Sequence, residues 1–153
     1  MSEDARFEDA QGVALRLAAE SAEDLQVISS LCQDAVFLAS EMTFEKGKRR
    51  FAVLLNRFRW EEDQSRPERV QSVLSFDAVS GVRSQGIDRT DDDQIYSLLM
   101  IELGGSEMAQ HATLVLAGDG EIELLIEAIS VSLVDVTKPY EALSGQRPDH
   151  KTD

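Results

Sequence analysis

Residues 21–44, SAEDLQVISSLCQDAVFLASEMTF, change their apolar period halfway along, and that change decides the fold class. In the first half Leu25, Ile28, Leu31 and Cys32 recur at intervals of three and four, which lays them on one face of a helix. Ser21 stands where an N-cap is wanted, with Asp24 three positions on as a shortened capping box. The spacing therefore predicts a helix of about three turns over residues 22–33. Past Asp34 the period becomes two. Val36, Leu38, Met42 and Phe44 alternate with smaller or polar residues, the pattern of a strand.

Alternation persists through most of the chain beyond. Glu45-Lys46-Gly47-Lys48 reads as a turn, and Phe51, Val53 and Leu55 then alternate again, with Leu54, Phe58 and Trp60 on the opposite face. Two such runs around a glycine-containing turn predict a hairpin, ended by the acidic loop from Glu61 to Pro67. Val70, Leu74 and Phe76 begin another strand, which Gly81 and Gly86 interrupt as bulges or turns. Ile95 to Leu103 is apolar at odd positions and largely so at even ones. That fits a central strand or a buried helical turn, and strands on both sides favour the strand. His111–Ala117 and Glu121–Val136 flank Gly118-Asp119-Gly120, a hairpin signal. In the second arm Ile122, Leu124 and Ile126 share a face, but Ile129, Val131 and Leu133 then take odd positions. A slip of one residue turns every side chain over, so a bulge or sharp bend is expected between Ile126 and Ile129.

Upstream of the helix, Val13, Leu15 and Leu17 read as a short strand after a polar tail over residues 1–10. Past Thr137, the breakers Pro139, Gly145 and Pro148 predict a second polar tail over about 138–153. The assembled expectation is one α+β domain over residues 1–153. One N-terminal helix packs against a curved, largely antiparallel sheet of about six to eight strands, closed into a small barrel or roll. An open two-layer sheet is the alternative.

With 42% hydrophobic and 29% charged residues, a chain of 153 residues has the material for one ordinary core. Its 15 Lys and Arg against 29 Asp and Glu leave a net charge of −14, which repels nucleic acid and anionic lipid at long range. Its apolar runs fall far short of the ~20 residues that span a bilayer. Met1-Ser2-Glu3-Asp4-Ala5-Arg6 is too acidic and polar for a signal peptide. The single Cys32 rules out an intramolecular disulfide, so a cytoplasmic location is expected.

Few residues offer chemistry. There are two histidines, no Gly-x-Ser-x-Gly elbow, and no Cys-x-x-Cys, His-Glu-x-x-His or EF-hand spacing. Cys32 lies on the apolar face of the helix and reads as packing. Asp91-Asp92-Asp93, and Asp119 with Glu121, read as solvated carboxylates. Residues 81–86 lack the spacing and the following helix of a phosphate loop. Asp77 interrupts an apolar strand, and alternation turns it to the wet face. No catalytic, metal or cofactor-binding residue is assigned, and no cofactor is expected.

Asn56-Arg57-Phe58-Arg59-Trp60 is the remaining candidate. Eight of the fifteen basic residues fall between Lys46 and Arg69, and arginine beside tryptophan is common in interface hot spots. Alternation puts Arg57 and Arg59 on one face and Asn56, Phe58 and Trp60 on the other. The competing reading has the aromatics covering the core while the arginines pair with Glu61, Glu62, Asp63 or Glu68. The functional expectation is a non-enzymatic module whose curved sheet or strand edge docks a protein or peptide. Arg57, Arg59 and Trp60 then form the surface, and the partner is acidic. A small-ligand protein or enzyme with a pocket in the curled sheet is the alternative. RNA or single-stranded DNA binding ranks third at net −14.

Four segments carry a resemblance: Leu54-Leu55-Asn56-Arg57-Phe58-Arg59-Trp60-Glu61, Val82-Arg83-Ser84-Gln85-Gly86-Ile87-Asp88, Gly120-Glu121-Ile122 and Arg147-Pro148-Asp149-His150. In the same order and at similar spacing, they resemble a family of single-domain proteins, mainly alphaproteobacterial, known only as a domain of unknown function. The resemblance implies a free-standing bacterial cytosolic protein and brings no activity, cofactor or site residue with it.

Overall fold

The helix forms where the sequence caps it. Ser21 takes an extended conformation, its Oγ accepts the Asp24 N–H at 3.2 Å, and α1 (Ala22–Leu31) follows. A computed structural model describes residues 14–61, 68–88, 90–106, 108–136 and 140–141. At the other end of α1 the Cys32 N–H still reaches the Ile28 carbonyl at 3.1 Å. Leu25, Ile28 and Cys32 are buried, so the apolar stripe faces the sheet as expected. Asp34, at a φ of 65°, then turns the chain out of the helix, and its N–H donates to the Leu98 carbonyl at 2.7 Å.

The first arm after the helix differs in phase from the sequence reading. In β2 (Val36–Leu38) it is Phe37 that goes inward, with Val36 and Leu38 half-buried at its sides. A 3-10 turn over Ala39–Glu41, held by the Glu41 carboxylate accepting the Leu38 N–H, resets the alternation before β3 (Met42–Glu45). The hairpin to β4 (Arg50–Phe58) then forms as read. It pairs Met42 with Val53 through to Glu45 with Arg50, across a tight turn at Lys46–Lys48. β4 pairs antiparallel with β5 (Glu68–Phe76), and Phe51, Val53, Leu55, Leu74 and Phe76 line the core.

Two bends fold this ladder over on itself. After β5 the chain turns at Asp77-Ala78, where Ala78 takes a φ of 59°, and β6 (Val79–Gln85) pairs with β9 (Glu121–Ile126). The second bend, residues 127–130, separates β9 from β10 (Val131–Asp135), which returns to β5. The bends are bonded to each other: the Asp77 N–H donates to the Ser130 carbonyl and the Glu127 N–H to the Ala78 carbonyl, both at 2.9 Å. The irregularity expected between Ile126 and Ile129 is this second bend. It keeps Ile126, Val131 and Leu133 on one core, with Ile129 packed against it. Asp77 lies outside, as alternation indicated, and pairs with Arg50 at 2.8 Å.

β7 (Ile95–Ser106) is a strand, and a bulge between Leu98 and Met100 explains its doubled apolar pattern. Leu98 points inward before the bulge and Ile101 after it, which leaves Leu99 and Met100 outside. β8 (Ala109–Leu116) pairs back along β7 and joins β9 through the turn at Ala117–Asp119, where Gly118 and Asp119 both have positive φ.

The full order is β1 (Arg16–Ala19), β10, β5, β4, β2, β7, β8, β9, β6, with β3 attached to β4. β11 (Tyr140–Glu141) pairs with Arg69 and Glu68 of β5, inside the stretch that the breakers had marked as tail. The remaining tail positions and Val13 lie outside the described residues. Among the described residues the sheet has eleven strands, because the long runs break at bends and turns. It curves strongly without closing, which makes it an open roll, the curved antiparallel sheet expected, and not a barrel. α1 packs against β1, β7 and β10, and Leu25 and Ile28 join the sheet residues in a single buried cluster. No helix among the described residues is long and apolar enough to cross a membrane.

Candidate functional site

The arginines that the sequence put forward as a surface are inside. Arg57 continues the inward phase of Phe51, Val53 and Leu55, and its side chain is 0% exposed. Burying a guanidinium is tolerable only when every N–H has an acceptor. Here all five have one. Nε donates to Ser72 Oγ at 2.9 Å, and Nη1 donates to the Phe58 carbonyl and to Glu61 Oε1, each at 3.0 Å. Nη2 donates to Glu61 Oε2 and Asp135 Oδ1, again at 3.0 Å. The Ser72 hydroxyl donates to Asp135 Oδ1 at 2.6 Å, and Asp135 Oδ2 accepts the Leu15 N–H at 2.9 Å. One cation thus joins β4, β5, β10 and the residue leading into β1. Burial pulls the Arg57 pKa down, but the hydrogen bonds and charges of Glu61 and Asp135 outweigh it, and the net shift is upward.

Arg59 is also buried, with Nη1 donating to Glu68 Oε1 at 2.6 Å. Of the counter-ions the competing reading offered, Glu61 and Glu68 hold the arginines, while Glu62 and Asp63 lie outside the described residues. Trp60 donates from Nε1 to the Gln33 carbonyl at 2.9 Å, tying the end of β4 to the end of α1. Its ring stands edge-on to Phe58 at 5.4 Å, and the Arg69 guanidinium covers the Phe58 ring at 4.5 Å. Neither Arg57 nor Arg59 presents its charge to solvent. What the sequence reading missed was Asp135. It falls in phase with the inward Val131 and Leu133, and a carboxylate in that phase needs a buried cation.

A different feature has the geometry of a docking site. Between α1 and β7 runs a groove of about 930 Å³. Buried Leu25 and Ile101 form its floor, Gln26 and Gln33 stand on the helix side, and Leu99 and Met100 are each 41% exposed on the strand side. The strand edge beside the groove is only partly covered. β2 pairs with Ile95–Ser97, and the Leu98 N–H donates to the Ala35 carbonyl at 2.8 Å. One step past the bulge the Ile101 N–H donates to the Ser29 hydroxyl at 2.8 Å, where a neighbouring strand would put a carbonyl oxygen. Among the described residues no strand pairs with this side of β7 beyond that point. Because edge-facing and ladder-facing residues alternate in an antiparallel strand, Leu103 shares the orientation of Ile101 and turns its N–H and carbonyl to the open side.

A second hollow, of about 770 Å³, lies around Gly86, Asp88, Tyr96 and Gly118. Its polar groups bind one another: the Asp88 N–H donates to Tyr96 Oη at 2.9 Å. The Thr90 hydroxyl and N–H hold the Asp88 carboxyl below its ordinary pKa. Among the described residues no three His, Cys, Asp or Glu side chains are grouped to hold a metal ion. Cys32 is sealed in the core, and burial, opposed only in part by the Arg57 charge, pushes its thiol up to about 12. Native protein at pH 8 is therefore expected to react with Ellman's reagent at least about a thousandfold more slowly than an unfolded control. Comparable rates would show that the helix opens readily.

No curated protein and no solved structure gives a significant match to this chain. A family model matches residues 15–150, a span that holds α1, every strand, the buried arginine cluster and the groove. The chain belongs to that family, DUF2948, described as a protein of unknown function.

Proposed function

We propose that the protein is a non-enzymatic interaction module of the bacterial cytosol, and that its α1–β7 groove docks an extended segment of a partner protein. The observation that carries this reading is the partly uncovered edge of β7 beside two exposed apolar side chains. An extended peptide gains main-chain hydrogen bonds from such an edge and side-chain contacts from the groove next to it. Natural sheets protect their edges against unwanted pairing, and an open stretch of edge past Ile101 with exposed Leu99 and Met100 beside it is a surface adapted to being covered. Ser29 supports the same reading, since its hydroxyl already stands in for a strand carbonyl at Ile101. The lone buried thiol of Cys32 suits a reducing compartment.

The test uses peptides selected from a random displayed library against the full chain. Replacing Leu103 with proline removes one edge N–H without touching a ladder bond, and proline is tolerated on edges. The L103P protein is expected to melt within a few degrees of the parent and to bind the selected peptides at least about tenfold more weakly, the effect of losing a main-chain bond and the pairing beyond it. Undiminished binding by L103P would place the peptide elsewhere and end the reading.

A further inference from the structure

Resting on the peptide reading of the groove, we infer that the site selects a basic side chain opposite Glu102 and an apolar one two residues further along, opposite Met100. The bulge in β7 sets which side chains a bound strand meets. After it, Ile101 and Leu103 turn toward the core, while Met100 and Glu102 point to the exposed face. Residues directly opposite in an antiparallel pair share a face, with Cβ atoms roughly 5 Å apart. A strand added to the edge of β7 therefore sets one side chain beside Glu102 and another, two positions away, beside Met100. The side chain between them points inward, against Ser29 and Gln26, where a small residue fits.

Charge fixes the first preference. Among the described residues Glu102 is the only charged side chain lining the groove, and no cation pairs with it. Across the ladder it faces neutral Thr113, and the next carboxylate in that row, Glu123, is held by Arg83. Arg57 and Arg59, the basic residues nearest in character to an anion-binding pair, are committed to Glu61, Asp135 and Glu68. A chain of net charge −14 with its arginines so engaged attracts basic segments and repels acidic ones. The partner is thus basic, the reverse of what the arginines alone had indicated. Direction follows from the ladder: the sheet is antiparallel throughout, and a peptide running against β7 passes Glu102 before Met100. The recognised order is basic, small, apolar.

Three fluorescein-labelled peptides test this: GSTKSVTSG, its reordered form GSTVSKTSG and the charge-reversed GSTESVTSG. Binding is read by anisotropy against the parent, Glu102→Lys and L103P proteins. The parent is expected to prefer the first peptide over the other two by about twofold to fivefold, the range of an exposed ion pair. Glu102→Lys is expected to favour the glutamate peptide instead, and added salt to shrink both preferences. Equal affinity of the parent for all three, with binding still lost in L103P, would overturn the charge selection and leave the groove as a peptide site. Equal binding of all three by parent and L103P, or no binding of any at millimolar concentration, would overturn both.

Discussion

Arg57→Ala is expected to destabilise the protein by about 3–5 kcal/mol, the penalty for removing one partner of a buried ion pair. The loss is large because the arginine is the common counter-ion of two carboxylates. Without it Asp135, whose side chain is 0% exposed, would lose its counter-ion, and Glu61 would keep only Arg59, 3.9 Å away. Ser72 Oγ and the Phe58 carbonyl would also lose their donor. Arg57→Lys keeps the charge but offers a point donor with three N–H groups in place of a planar fork with five. It is expected to fall between parent and alanine. Since domain stabilities run from about 5 to 15 kcal/mol, the alanine protein stands close to unfolding. Urea titration with an unchanged slope checks the figure. A loss below about 1 kcal/mol would mean that water reaches the carboxylates and that the cluster is a surface pair.

The second large effect is at the helix. Leu25 is 2% exposed, belongs to the main buried cluster and also floors the groove. Leu25→Ala is expected to cost about 2–5 kcal/mol, the transfer term plus the cavity left behind. In a domain of this size that lowers the melting temperature by roughly 4–20 °C. Because α1 is only ten residues long, its stability comes from this packing and not from the helix alone. The same substitution should therefore weaken peptide binding, while Val27→Ala, at a position 52% exposed on the solvent side, should change neither property measurably. A Leu25→Ala protein as stable as the parent would show that the sheet collapses into the space and that α1 is held elsewhere.

Much of this fold is legible in the order of residues. Ser21 and the stripe Leu25, Ile28, Cys32 mark the helix, and the slip from Ile126 to Ile129 marks the bend that turns the ladder into a roll. Those signals are local, and local periodicity reports them well. Strand count was less legible because bends at Asp77-Ala78 and the turn at Ala39–Glu41 cut runs that alternate almost without interruption. Positive φ at Ala78 has no sequence marker of the kind glycine gives. The candidate site was the least legible part. Alternation put Arg57 and Arg59 on one face, but whether Arg57 is wet depends on Ser72 and Asp135, 15 and 78 residues away. A buried cation with distant partners and an exposed cation with none look alike along the chain. The groove left no motif either, since it depends on β2 beginning only at Val36, opposite Ser97, and on Ser29 meeting Ile101 across 72 residues.

Amide hydrogen exchange of the full chain, with and without a saturating selected peptide, tests the docking edge most directly. Ligand addition should protect the Leu103 N–H strongly and alter Ile101, whose N–H passes from the Ser29 hydroxyl to a peptide carbonyl. Protection should leave the outer edge of β6, at Val82 and Ser84, unchanged. Protection that appears along β6 or β1 and not at Leu103 would contradict the assignment of β7 as the edge this protein offers to its partner.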